Sequence, residues 1–240
     1  PGRDEFTKIE QRKEEILVKG AKPVSVDYAW TVWGPIVATN ERNDPLAYRW
    51  IAHDPAATNL TLLEMENTTT VAEGIAVAHR AGMPAQNIFL ADKAGAIAWT
   101  IAGRLPKRIG YDGRLPVTWN FGDRKWDGYL APEDVPVVRG DASTLLGRLW
   151  SGNQRAVGGA ALAKIGDGGY PRPARAAQIR DGLAAIARAT PQDLLAVQLD
   201  DRALFLTPWH QLLIDTLTPE VTAQKKPRGA LRGFAEKWEG

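Results

Sequence analysis

Asn87–Arg108 reads NIFLADKAGAIAWTIAGRLPKR, two apolar runs on either side of Asp92-Lys93-Ala94-Gly95. An Asp and a Gly between runs of this composition make a hairpin turn, so strands are expected over Asn87–Ala91 and Ile97–Ala102. Both runs are apolar at nearly every position rather than at alternate ones. A strand of that kind is wet on neither face, and the pair is expected at the centre of a covered sheet.

Immediately upstream, Thr70–His79 has helical spacing. Thr70 is placed as an N-cap with Glu73 three residues on, the capping-box arrangement. Gly82 and Pro84 mark its end. His79 falls in the last turn, where a cation meets the helix dipole favourably. Asn59–Met65 reads as a shorter helix. Before it, Ile16–Lys19, Val24–Val26, Tyr28–Val32, Ile36–Thr39 and Leu46–Ala52 have strand composition. Turns at Gly20, Trp33-Gly34-Pro35 and Asn40–Pro45 separate them, as in an antiparallel meander. Residues 1–14 are charged and have no apolar period. In Leu46–Ala52, Arg49 alternates with Tyr48 and Trp50 and is expected on the other side of the sheet. His53-Asp54 is an acid–base pair by type, but neighbours along a strand point to opposite faces. Pro1 at a free terminus would be a secondary amine, and nothing beside it in Gly2 or Arg3 suggests a pocket.

Downstream, residues 104–148 are rich in Arg, Gly, Pro and Asp and carry Trp119, Trp126 and Tyr129. A long irregular segment in a compact domain covers a site or forms one. Leu149–Ile179 follows, LWSGNQRAVGGAALAKIGDGGYPRPARAAQI. Asn153 on a tight turn beside Leu149-Trp150 is suited to donate a hydrogen bond to developing negative charge. Arg175, read as buried and entering a helix from a Gly/Pro-rich loop, could hold that Asn or a substrate carboxylate with its planar set of donors. The same residues also make an ordinary surface turn, because turns favour Asn and Gly for local reasons. Ala174–Ala189, Pro191–Leu199 and Arg202–Leu217 read as helices, with Pro191 in a first turn after Thr190. Thr218–Gly240 is basic and ends in a weak helix. No repeat or linker interrupts the chain, so 1–240 is read as one domain of the α+β class.

The 240 residues carry 30 Lys and Arg against 28 Asp and Glu. The charges are interspersed, which argues against nucleic acid or a membrane surface as partner. No run is apolar enough to span a bilayer, and the first residues do not read as a signal peptide. Without Cys there is no disulfide, thiolate nucleophile or thiolate metal site. Nine Trp supply large apolar area, and such rings also line sites for apolar ligands. HExxH, a phosphate-binding glycine loop, GxSxG and an EF-hand loop are all absent. One reading of the Trp-rich 119–150 region is therefore a non-catalytic domain that binds an apolar ligand.

The order of the segments resembles the β chain of the penicillin acylase family of N-terminal nucleophile hydrolases. The matching pieces are RKEEILVKGAKPVSVDYAWTVWGPIV, AYRWIAHD, NIFLADKAGAIAWTIAGRLPKR, WDGYL, LWSGNQR, GYPRPARAAQI, PQDLLAVQLDDRALFL and a terminal WEG. The resemblance implies an αββα fold, represented in part, with antiparallel strands, helices on the sheet and a long irregular cover. It implies a serine nucleophile freed by self-cleavage at a chain start, with its own α-amine as base. By position Asn153 resembles the family's oxyanion Asn and Arg175 its supporting Arg. Arg49, Trp50 and Trp150 are the implied substrate contacts. Asp167 is the nearest match to an Asp at a structural calcium site, and no cofactor is implied otherwise. The first residue is Pro1, so the chain reads as an internal β-chain piece whose partners are the α chain and the remaining β segments. Alone it is expected to be inactive, with open strand edges that associate. The implied substrate is a small N-acyl amide such as a β-lactam antibiotic or an acyl-homoserine lactone, and the implied location periplasmic or secreted.

Overall fold

The computed structural model describes residues 7–140, 147–166 and 168–238. They form two compact units, Pro1–Leu149 with Val157–Tyr170, and Trp150–Ala156 with Pro171–Gly240. Helices and antiparallel sheets are both present, as the α+β reading expects.

The first unit opens with an antiparallel sheet in chain order, β1 (Glu10–Ile16), β2 (Val24–Thr31), β3 (Gly34–Thr39) and β4 (Pro45–Ala47). β1 occupies the charged run rather than the expected Ile16–Lys19, and all of it is exposed. Cross-strand partners replace apolar alternation there. Arg12 faces Tyr28 across the ladder and lies 4.6 Å above the Trp30 ring, and Tyr28 Oη donates to Glu14. The strand expected over Leu46–Ala52 ends at Ala47, and Ile51–His53 is a 3-10 turn. Pro55 has no N–H for a ladder. Asp54 instead caps the next short turn, accepting from the Ala56 N–H.

Thr61–Asn67 is 3-10 rather than α-helical and leads into α1 (Val71–Arg80), capped by Thr70 and Glu73 as the spacing requires. β5 (Gln86–Ala91) and β6 (Ile97–Ala102) form the expected hairpin, and β6 lies between β5 and β9 (Val138–Arg139). Of the two hairpin strands, β6 is the one covered on both faces. Trp99 and Ile101 pack with Leu105 and Val135, while Ala98 on the opposite face packs with Val71 and Ile75 of α1. β5 is half covered, with Phe89 42% exposed. The segment expected to be irregular contains a second hairpin, β7 (Pro106–Ile109) with β8 (Lys125–Tyr129). Ladder hydrogen bonds override the weak local pattern of KWDGY. α2 (Gly159–Ile165), unexpected from its glycines, packs Ile165 against the Trp99 cluster.

Asp92 ties the hairpin to the helix. Its Oδ1 accepts from Ala94 N at 3.0 Å and Ala96 N at 3.1 Å, and its Oδ2 from Val71 N at 3.1 Å. One carboxylate thus closes a turn and satisfies a free N–H at a helix start.

The second unit is helical: α3 (Ala174–Ala184), α4 (Pro191–Gln198), α5 (Thr207–Thr216), α6 (Pro219–Ala223) and α7 (Lys226–Ala235). α3 stops before the expected Ala189, leaving 185–189 to reverse the chain toward the Thr190–Asp193 capping box. α5 starts just before Pro208 rather than at Arg202, as proline prefers a first turn. Arg202 lies outside that helix and grips Asp200 at 2.7 and 2.9 Å. Arg232 of α7 donates to the Leu217 carbonyl at the end of α5.

His79 lies in the last turn of α1, where the spacing places it, but it is buried. It is 8% exposed, with Nε2 2.8 Å from Thr100 Oγ1. The Thr100 hydroxyl donates to the Pro136 carbonyl at 2.8 Å. Thr100 must then accept from His79, which puts a proton on Nε2. Burial pushes the His79 pKa below its ordinary 6.5, and the Pro132 carbonyl opposes this more weakly. The unfolded chain therefore takes up a proton at higher pH than the folded one. The stabilisation is present above about pH 6.5 and is lost as pH falls toward the folded value. Urea midpoints measured from about pH 7 to about pH 5 should fall, and His79→Gln should flatten that slope; an equal slope in the variant would refute the assignment.

Candidate functional site

In the second unit, Trp150–Ala156 makes a tight turn against the start of α3. Gly152 is buried, and a Cβ there would lie 2.9 Å from Ala176 N. Only glycine lets the two backbones approach this closely. Asn153 follows with φ of 65°, in the left-handed region. Asn43, at φ 63° in the Asn40–Asp44 turn, shares that conformation, so it does not by itself mark a site. The turn is knit by its own side chains. Gly152 N–H donates to Gln154 Oε1 at 2.7 Å, and Asn153 N–H to Ser151 Oγ at 3.2 Å.

Arg175, the second residue of α3, donates from Nη2 to Asn153 Oδ1 at 2.9 Å across 22 residues of chain. A guanidinium has donors only, so the amide oxygen must face it. The two Nδ2 hydrogens then point elsewhere, and no described residue accepts them. Arg175 is exposed, not buried as the sequence suggested, because it sits on the first turn of α3 while Ala176 takes the covered position. An oriented amide with free donors beside a cation can stabilise an anion.

The other residues singled out in the sequence divide between the units. Trp150, half-buried, belongs to the Asn153 unit. Arg49 and Trp50 belong to the first unit. Arg49, beyond the end of β4, lies 4.8 Å from the Trp126 ring centre and 5.5 Å from that of Trp119. Trp50 and Tyr48 gather around His53, with ring centres 5.6 and 6.4 Å from it. Trp119 also meets Trp33 at 6.1 Å and Tyr111 at 5.8 Å. These rings contact one another and Arg49, while Tyr48 and Trp50 stay 49% and 44% exposed. Asp167 lies outside the described residues, and the described ones include no group of three or more His, Cys, Asp or Glu placed to hold a metal ion.

An Asp54–Tyr129 pair was not legible in the sequence. Tyr129 Oη donates to Asp54 Oδ2 across 75 residues. Burial, reinforced by that carboxylate, pushes the Tyr129 hydroxyl up to about 12, and the Tyr129 hydrogen bond holds Asp54 below the usual carboxylate range. The local signal was Asp-Pro, which marks Asp54 as a cap; nothing local points to Tyr129.

The penicillin amidase family model matches residues 2–240. Penicillin acylase 2 proenzyme of Pseudomonas sp. (strain SE83) is 27% identical over 99% of this chain and 30% of its own length. The acyl-homoserine lactone acylase QuiP of Pseudomonas fluorescens (strain Pf-5) is 26% identical over 81% of this chain and 24% of its own. The chain thus spans about 30% or less of these relatives. A thermostable penicillin G acylase structure from Alcaligenes faecalis aligns with TM-score 0.64 at 20% identity, covering 93% of this chain and 40% of that one.

The turn's backbone makes two checks possible. Asn153→Gly should leave stability within about 1 kcal/mol of the parent, while Asn153→Val should cost about 1–2 kcal/mol, since a branched side chain resists the left-handed region. Gly152→Ala should cost about 1–3 kcal/mol by driving a methyl into α3. Denaturant midpoints measure all three, and equal midpoints for Asn153→Gly and Asn153→Val would overturn the assigned conformation.

Proposed function

The chain belongs to the penicillin amidase family, and from that membership we propose that it forms part of an N-acyl amide hydrolase in which Asn153 donates to the oxyanion. The observation that carries this reading is the 2.9 Å bond from Arg175 to Asn153 Oδ1, which turns the Nδ2 donors away from the guanidinium. As a carbonyl carbon becomes tetrahedral its oxygen gains charge, and a donor oriented beforehand stabilises that charge without reorganising. Arg175 orients the amide and adds positive charge nearby, and Trp150 stands as an apolar wall three residues before it.

In this proposal the nucleophile is a serine at a freed chain start outside these residues. Its α-amine takes the hydroxyl proton as oxygen attacks the amide carbon, and passes it to the departing amine as the C–N bond breaks. Water then releases the acid from the acyl-enzyme. The relatives' names, a penicillin acylase and an acyl-homoserine lactone acylase, support an apolar acyl group on a polar amine as the substrate class. Arg49 and Trp50 are proposed contacts for the substrate, the αββα layering is the proposed setting, and the periplasm or exterior the proposed location.

The test is hydrolysis of chromogenic N-acyl amides. In the acylase assembled with this chain, Asn153→Ala should lower kcat about 10²–10³-fold, the range for loss of one oxyanion donor. Arg175→Gln should reduce kcat less, since the amide survives unpinned. The purified chain alone should release no chromophore, because an oxyanion donor without an activated nucleophile does no covalent chemistry. An unchanged kcat in Asn153→Ala would sink the assignment.

A further inference from the structure

We propose that Ser151 and Gln154 are positioning residues, which occupy the Gly152 and Asn153 N–H groups and so leave the Asn153 side chain to meet an anion. The proposal rests on the oxyanion reading above and assigns the residues that keep that donor in place. Consecutive N–H groups around a left-handed residue commonly form an anion-binding concavity. Gly152 and Asn153 supply two such groups, and neither is free. Gln154 reaches back two residues to accept from Gly152 N–H at 2.7 Å, and Ser151 accepts from Asn153 N–H at 3.2 Å. With these two N–H groups filled, the Nδ2 hydrogens face outward for an anion, in a direction that Arg175 sets through Oδ1 at 2.9 Å.

The three hydrogen bonds fix different degrees of freedom. Arg175 sets the rotation of the amide about its last bond. Ser151 and Gln154 hold the backbone that carries it at φ 65°. The close approach of Gly152 to Ala176 N keeps the turn from swinging off α3. The residue type at 154 also fits this role. A neutral amide oxygen accepts from Gly152 without adding charge, whereas a carboxylate would accept equally well but set a negative charge near the position where the oxyanion develops. Neither Ser151 nor Gln154 needs to touch substrate, since each acts through the backbone around Asn153.

Amide hydrogen exchange on the full chain tests the positions directly. Gln154→Met should raise the exchange rate of the Gly152 amide about tenfold or more, and Ser151→Ala that of Asn153 similarly, as expected when a single hydrogen bond is lost. Gln154→Glu keeps the acceptor and should keep the protection, which separates a lost hydrogen bond from a failure to fold. In the assembled acylase, Gln154→Met should lower kcat about tenfold with KM within about twofold. Gln154→Glu should lower kcat despite its protected Gly152 amide, a split that a merely structural residue would not produce. Unchanged Gly152 exchange in Gln154→Met, or full kcat in Gln154→Glu, overturns the proposal. If exchange responds while Asn153→Ala leaves kcat untouched, the oxyanion reading fails and the backbone assignment stands.

Discussion

A strand buried on both faces needs a different partner on each, and Ile97–Ala102 meets that constraint by alternating side-chain size. Its small residues, Ala98 and Thr100, admit α1 closely on one face, while Trp99 and Ile101 fill the space toward Leu105 and Val135 on the other. Close packing of this kind leaves little room for substitution. It also brings Thr100 against His79, so the hydroxyl at the centre of the strand accepts a hydrogen bond from the imidazole and donates one to the Pro136 carbonyl. A polar chain at that depth is tolerated because its Thr100 and Nε2 groups are paired. Asp92 extends the same unit outward by joining the β5–β6 turn to the start of α1.

The second unit uses a different device. Gly152 lets a loop touch the backbone of α3, and the residue after it inherits a left-handed conformation. The Arg175–Asn153 bond is exposed on both sides, so its contribution to stability is modest beside its effect on orientation. A charged donor determines which end of the amide faces it, and for a group that acts by donating, direction is the property that matters. Around Arg49, by contrast, the guanidinium lies over the rings of both Trp119 and Trp126, an arrangement that joins aromatic side chains from distant segments.

Local chemistry was legible in the residues themselves. The Thr70–Glu73 box, the Asp92–Gly95 turn and Pro191 in the first turn after Thr190 depend on neighbours within four positions, and each stands where the spacing puts it. The ordered series of segments carried the family as well, because that information is distributed along the whole chain. Patterns that depend on distant partners were not legible. β1 is a strand because β2 supplies its ladder, and β8 because β7 does. Neither run announces itself by alternation.

The sequence by itself determined the Asp92–Gly95 turn, the caps of α1 and α4 and which family the chain joins, since propensities and motif order need no third dimension. Tertiary structure alone decided that His79 is buried against Thr100 rather than exposed at a helix end, and that burial pushes its pKa down. It decided that Arg175 is exposed yet pins Asn153, because helix phase turns Ala176 inward instead. It also decided that Gln154 folds back onto Gly152, and that Tyr129 meets Asp54 across 75 residues. Each of these follows from which groups meet in space, and local spacing leaves that open until the chain has packed.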